Sequence, residues 1–122
     1  MKKIVIPALL LSSAALVLVT QLAPAAEVAR KVVLENFRVE VTERIMEPGV
    51  VRETHIRPTD QVIVFLNDAE YERIDPDTGA KTIRKRKAGD VIWHSRGEVA
   101  PTLTNVAKTP LRSLEIALKG AY

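Results

Sequence analysis

Short runs in which polar and apolar residues alternate, turn residues at regular intervals between them, and the lack of helical periodicity after residue 25 predict an all-β fold. About eight or nine short strands at this spacing are typical of a sandwich or barrel of the jelly-roll type. The chain has 122 residues, which is enough for one domain.

The first quarter of the chain is predicted to lie outside that domain. Lys2 and Lys3 precede an apolar run, 4–19, and the small residues Ala23-Pro24-Ala25 follow it. A basic end, a short hydrophobic segment and an A-x-A site predict a secretory signal peptide, residues 1–25. An uncleaved membrane anchor is the alternative, but the run is shorter than a bilayer-spanning helix. The sequence therefore predicts a periplasmic or secreted domain, 26–122, that is not attached to a membrane after the signal peptide is cleaved.

Charge and cysteine content narrow the function classes. The 18 basic and 15 acidic side chains give a formal charge of +3, which falls to +1 without Lys2 and Lys3. Nucleic-acid binding, which requires a concentrated basic excess, is not expected of a nearly balanced chain. No cysteine is present, so an exported domain must obtain its stability from its core and not from disulfides.

The mature chain is predicted to begin with a flexible lead-in, 26–31, and a brief strand, 32–34. The next strand, 37–45, alternates with the period of two that half-buried strands show. Glu43 falls on the apolar side of this strand, either as a strand-end residue or as an inward carboxylate. The predicted inward side chains are Phe37, Val39, Val41 and Ile45, and the predicted outward ones are Arg38, Glu40, Thr42 and Arg44.

The stretch from Pro48 to Leu66 carries the candidate site. After a Pro-Gly turn it presents Glu53, His55 and Arg57 at a spacing of two, which places all three on one face of a strand. An apolar strand, 62–66, follows. The polar row is either a solvated outer face or the lining of a cavity.

A hairpin comes next, because Asp75-Pro76-Asp77-Thr78-Gly79 joins two extended runs, 70–74 and 81–87. Proline fixes φ in such a turn, and glycine accepts positive φ. The motif lacks the distal glutamate of a calcium loop, so no calcium site is predicted. The remaining predicted strands are 91–94, 103–106 and 111–118.

The second run of the hairpin holds the one dense basic patch, with cations at Lys81 and at 84–87. Charges on both faces predict an exposed edge strand, where lysine discourages pairing with another chain. Acidic residues on the facing strand are expected to neutralise the patch. A surface that binds an acidic partner is the alternative.

The order of these motifs resembles a small single-domain cupin. Glu35-Asn36-Phe37-Arg38-Val39 is similar to the start of short exported cupins, and Pro48-Gly49 stands at the family's separation from His55. Lys87-Ala88-Gly89-Asp90-Val91 and Thr104-Asn105-Val106 match the second half. The resemblance covers about residues 34–119. It implies a double-stranded β-helix, the cupin jelly roll, with a cavity between two sheets.

The resemblance also implies a metal site, which this sequence fills incompletely. His55 occupies one ligand position, Arg57 stands at the second histidine position, and Gln61 or its neighbour stands at the glutamate position. The last histidine position falls on Ala100 or Pro101. Imidazole and oxygen donors suit iron, manganese, nickel or zinc, whereas a guanidinium repels a divalent cation. We therefore predict a degenerate metal site and no cofactor.

In the arrangement that the resemblance implies, His55 and Arg57 point into the cavity. A buried guanidinium needs an anionic partner, either an internal one, Glu53 or Glu43, or the acidic group of a ligand.

Trp93 is expected to face the core in preference to His94, because it has more apolar area to bury. The predicted ligand-binding residues are His55, Arg57, Gln61, Glu43 and Trp93.

The predicted function is the binding of a small molecule, with anionic ones among the candidates, in the barrel cavity. The alternative is a metal-dependent cupin enzyme of the dioxygenase or isomerase type that uses His55, Gln61 and a third donor, His94 or Glu43. A third hypothesis is an accessory protein whose basic strand, 81–87, contacts a partner. Because cupins pair through their sheets, a homodimer is a further expectation.

Overall fold

The structure, a computed structural model, describes residues 27–120, and every regular element in that range is a β-strand. The predicted signal peptide, residues 1–25, lies outside the described residues. No helix with the length and hydrophobicity needed to cross a membrane occurs within 27–120. The strands are β1 (Ala29–Glu35), β2 (Val39–Met46), β3 (Val51–Arg52), β4 (His55–Ile56), β5 (Gln61–Phe65), β6 (Ala69–Ile74), β7 (Lys81–Arg86), β8 (Val91–His94), β9 (Val99–Ala100), β10 (Thr102–Asn105) and β11 (Leu111–Leu118).

The strands form three antiparallel sheets. The five-stranded sheet has the order β1-β2-β11-β5-β8, and the four-stranded sheet has the order β3-β10-β6-β7. A small sheet pairs β4 with β9. The two larger sheets contribute together to one core, and the rings of Phe65 and Tyr71 stack between them with centroids 6.2 Å apart. The core consists of Met46, Val50, Ile63, Phe65, Ala69, Tyr71 and Leu111.

Asn105 is the polar residue that ties this core to the loops beside it. Its side chain is 1% exposed. The amide Nδ2 donates to the carbonyl oxygens of Met46 and Thr109, both at 2.9 Å, and Oδ1 accepts the backbone N–H of Ala107 at 2.9 Å. One buried amide therefore ties the end of β2 to the loop between β10 and β11.

The all-β prediction is confirmed, and strands 91–94 and 111–118 agree with β8 and β11 residue for residue. The predicted hairpin is confirmed as well, because the Asp75 carboxylate accepts the N–H groups of Asp77 and Thr78 and Gly79 has a φ of 75°. The predicted lead-in is wrong for 29–31, which belong to β1. The two-residue strands β3 and β9 were not predicted, since they are too short for a periodic pattern, and of the strand predicted to carry Glu53, His55 and Arg57 only His55–Ile56 forms a strand, β4.

The predicted faces of β2 are reversed. Thr42 and Arg44 are buried, whereas Phe37 is 79% exposed. The cause is that the outer face of the five-stranded sheet is itself apolar, so hydrophobicity does not mark its inward side. By strand register, that outer face carries Val39, Val41, Ile45, Val62, Val64, Val91, Trp93, Leu114, Ile116 and Leu118.

Candidate functional site

A cavity of about 200 Å³ lies between the two larger sheets. Its wall combines apolar side chains with a concentration of positive charge, and among the described residues that form it there is neither aspartate nor glutamate. The cationic residues of the wall are Arg44, Arg52, Arg57, Arg73, Arg84, Arg86 and, when protonated, His94.

Three of these side chains, Arg44, Arg52 and Arg57, are buried, and we call them the deep arginines. Their exposed fractions are 9%, 6% and 4%, respectively. They come from β2, from β3 and from the residue that follows β4. The Nε atom of each is buried and has no hydrogen-bond acceptor within residues 27–120. Since buried polar atoms are normally paired, three such orphans in one cavity require an explanation.

Arg44 has an internal counter-charge. In the register of β2 and β11 it lies opposite Ser113, whose Oγ accepts from Nη2 at 3.4 Å. The Arg44 Nη1 atom is 3.2 Å from Oε1 of Glu115. Burial lowers the pKa of Arg44, and Glu115 opposes that shift. This guanidinium is therefore largely compensated within the fold.

Arg57 is also compensated in part. Its Nη1 donates to Oε1 of Gln61 at 3.4 Å, and its Nε lies 3.8 Å from Oε1 of Glu98. The loop is fixed in place, because the Arg57 N–H donates to the Glu98 carbonyl and its own carbonyl accepts from Gly97. Burial lowers the pKa of Arg57, and Glu98 raises it.

Arg52 has no such partner. Its Nη2 donates to the Pro101 carbonyl, and no carboxylate of residues 27–120 forms an ion pair with it. Burial, together with the neighbouring charges of Arg44 and Arg57, lowers the pKa of Arg52 to about 9. Glu115 opposes this shift from a distance, but within the described part of the protein Arg52 has no carboxylate in an ion pair with it.

The other three arginines of the wall, Arg73, Arg84 and Arg86, lie on β6 and β7, and we call them the edge arginines. Arg86 donates from Nε to the Tyr71 hydroxyl at 3.2 Å and stands over the Phe65 ring, 5.8 Å from its centroid. In the part of the chain that the structure describes, none of the three forms an ion pair. They enlarge the positive excess of the cavity.

The predicted site residues separate in the structure. Arg57 lines the cavity, and Gln61 is buried in contact with it. His55 is not part of the wall, and its Nδ1 lies 3.4 Å from the Glu53 carbonyl oxygen. Whether these residues bind a ligand stays a prediction.

Of the two alternatives for Glu43 the inward one is wrong, and the predicted inward position of Trp93 is wrong as well. Glu43 binds Arg112 at 2.7 Å on the outer face, and Trp93, 53% exposed, lies opposite Val62 on that same face. Because β8 alternates, His94 is the residue that turns inward.

Most of the cationic wall was not predicted. Arg44 was assigned outward, although it shares a strand face with buried Met46, and that shared face was the available signal. Arg52 belongs to a strand of two residues, which is too short to show alternation.

The donors present do not fit a cupin metal ion. Within residues 27–120 no three His, Cys, Asp or Glu side chains are grouped so that they could hold a metal. His94 and Glu98 approach each other, with Nδ1 3.5 Å from Oε1, but the guanidinium of Arg57 lies beside the same carboxylate. A permanent cation at that position opposes the binding of a divalent ion.

His94 should make stability depend on pH. Burial lowers its pKa below the ordinary 6.5, and the charge of Arg57 adds to this, while Glu98 opposes it. The folded protein therefore binds the proton less well than the unfolded chain, and stability falls as pH drops through about 6.5. We expect the free energy of unfolding to decrease more between about pH 7.5 and 5.5 in the native protein than in His94→Gln. Equal losses in urea titrations of the two proteins would contradict this role.

No protein-family model matches the sequence, and comparison with curated proteins gives no match. Solved structures do match. A cupin domain from Bordetella pertussis Tohama I has a TM-score of 0.70 at 21% identity, over 80% of this chain and 99% of that one. A double-stranded β-helix protein from Klebsiella pneumoniae has a TM-score of 0.61 at 24% identity, over 80% of this chain and 82% of that one. The polyketide cyclase RemF from Streptomyces resistomycificus has a TM-score of 0.64 at 19% identity, over 83% of this chain and 71% of that one.

The chain has the small cupin fold, a double-stranded β-helix. At these identities the likeness establishes the fold and leaves the activity open.

Proposed function

We propose that this cupin-fold domain binds a small anionic molecule in the cavity between its sheets. The observation that carries the proposal is Arg52, a guanidinium that is 6% exposed and has only a backbone carbonyl as its partner in residues 27–120. A buried charge without a counter-charge is costly, and the acidic group of a ligand would supply what the fold does not.

The chemistry of the wall supports this class of ligand. Guanidinium groups bind carboxylate, sulfonate or phosphate oxygens through two parallel hydrogen bonds. The guanidinium groups of Arg44, Arg52 and Arg57 line the cavity and offer donors of this kind. Apolar side chains, among them Ile63, Phe65 and Leu103, form much of the remaining wall and favour a ligand with an apolar portion.

Export is part of the same proposal, and the basic, apolar and small-residue pattern of residues 1–25 supports it. The homodimer and the partner surface on β7 stay predictions. The metal-dependent enzyme is not proposed, because Glu43 lies on the outer face and His94 has one carboxylate neighbour in place of a set of ligands.

Ligand binding should raise the midpoint of thermal unfolding. At about ten times Kd, a ligand stabilises by about 1.4 kcal/mol, which corresponds to about 5–10 °C for a domain of this size. We expect such a rise with hexanoate, benzoate or benzenesulfonate, and we expect it to vanish in Arg52→Gln. Arg38→Gln, which removes an exposed arginine outside the cavity, should respond like the native protein. Equal responses of native protein and Arg52→Gln would refute the proposal.

A further inference from the structure

The two groups of arginines stand at different places along the cavity. Arg73, the third edge arginine, lies on the inner strand β6. Arg52 lies on β3, and Arg84 and Arg86 lie on β7. These strands are the two edges of the four-stranded sheet, with β10 and β6 between them. Three strand spacings of about 4.8 Å separate the edges by about 14 Å. A single carboxylate group, which is much smaller than this span, would not serve both edges.

The cavity face of the sheet is identified by the register. Leu103 lies opposite Arg52 on one side and opposite Arg73 on the other, so all three share a face. Arg84 lies opposite Tyr71, a core residue, and belongs to that face as well. Glu70 and Glu72 alternate with Tyr71 along β6 and project to the opposite face, where they do not neutralise the edge arginines.

Positive charge exceeds negative charge at both places. The three deep arginines have two carboxylate partners, Glu98 and Glu115. Among the described residues, the three edge arginines form no ion pair; Arg86 donates to the Tyr71 hydroxyl, and Arg73 is near enough to Asp75 to lower the pKa of that carboxyl. Each group therefore has room for an acidic group of its own.

Much of the wall between Arg52 and the two β7 arginines is apolar, although Arg73 lies between them on β6. Phe65 and Tyr71 stack with an interplanar angle of 4°, and Ile63 and Leu103 line the same cavity. An acidic group placed against these side chains would lose its hydration without gaining a partner, whereas a hydrocarbon chain or ring would gain burial.

We propose that the ligand is a dianionic small molecule whose two acidic groups are separated by an apolar chain or ring. One acidic group binds at Arg52 among the deep arginines, and the other binds at the edge arginines. This inference rests on the proposed function and narrows its ligand class.

The test compares acids of equal length by calorimetric titration of the full domain: hexanoate against adipate, and octanoate against suberate. At least one diacid should bind about ten-fold more tightly than its monoacid. Arg84→Gln should weaken the diacid about ten-fold and leave the monoacid within about two-fold. Arg52→Gln should weaken both acids.

Lys85→Gln is the matched control, because it removes the same charge from the adjacent position of β7. Lys85 pairs with Glu70, and both lie on the face of the sheet that points away from the cavity. It should leave both affinities within about two-fold. Equal binding of diacid and monoacid would overturn the inference while the proposed function stands. Equal losses of diacid affinity in Lys85→Gln and Arg84→Gln would also overturn it, since the net positive charge of β7 would then account for the binding without a contact to Arg84. Binding of none of the four acids would overturn the inference and the proposed function together.

Discussion

Asn105→Ala is expected to lower the free energy of unfolding by about 3 kcal/mol. The substitution removes three hydrogen bonds at a site with 1% exposure, and it leaves the carbonyls of Met46 and Thr109 and the N–H of Ala107 without their partner. Each buried polar group that loses its partner costs about 1–3 kcal/mol. The total is smaller than three times this cost, because the loop can rearrange so that some of the unpaired groups bond to water. Urea unfolding monitored by circular dichroism measures the change.

Asn67→Ala is the matched control. Asn67 also joins two backbone groups, donating to the Pro110 carbonyl at 2.8 Å and accepting from the Arg112 N–H at 3.0 Å, but it is only half-buried. Water can replace its contacts, so we expect a loss of about 1 kcal/mol. If the two alanine variants lost equal stability, burial would not be the source of the Asn105 effect.

Arg52→Met is expected to increase stability by about 1–3 kcal/mol while abolishing anion binding. Because burial lowers the pKa of Arg52 in the fold to about 9, well below its ordinary value, the folded protein holds this proton less tightly than the unfolded chain does. The destabilisation is complete below about pH 9 and is relieved as the pH rises above that value. Methionine has a similar length and no charge, and the lost bond to the Pro101 carbonyl offsets part of the gain.

Chemical unfolding at neutral pH, in a buffer free of multivalent anions, measures this increase. Arg38→Met, at an exposed position, should change stability by less than about 0.5 kcal/mol. If Arg52→Met unfolds more easily than the native protein, the hydrogen bond to the Pro101 carbonyl outweighs the cost of burying the charge. The main role of Arg52 would then be to stabilise the fold.

The strands were predictable because their signals are local. Alternation and turn residues delimit β8, β11 and the hairpin at Gly79, and each of these lies where the sequence predicts it. Periodicity establishes which residues share a face, but not which face is inward. For β2 the usual rule, apolar side in, fails because its outer face is apolar and Arg44 on its inner face lines the arginine-rich cavity.

The cationic wall was not predictable in the same way. Arg52 and Arg73 are brought together by their common neighbour Leu103, through pairings between segments distant in the chain. Arg57 was found because a motif resemblance pointed to it, while Arg44 and Arg84 read as ordinary charges on exposed strands. Tertiary pairing, which a single sequence does not display, assembles the candidate site.

The six guanidinium groups of the cavity wall have a consequence for any solution of this protein. Arg44 and Arg57 have internal carboxylate partners, and the other four guanidinium groups attract mobile counter-ions such as chloride, sulfate or phosphate. A ligand then enters by exchange, and its apparent dissociation constant rises with the concentration of the competing salt. An affinity determined in phosphate buffer therefore describes a replacement reaction, and comparison between buffers reveals how many small ions the ligand displaces.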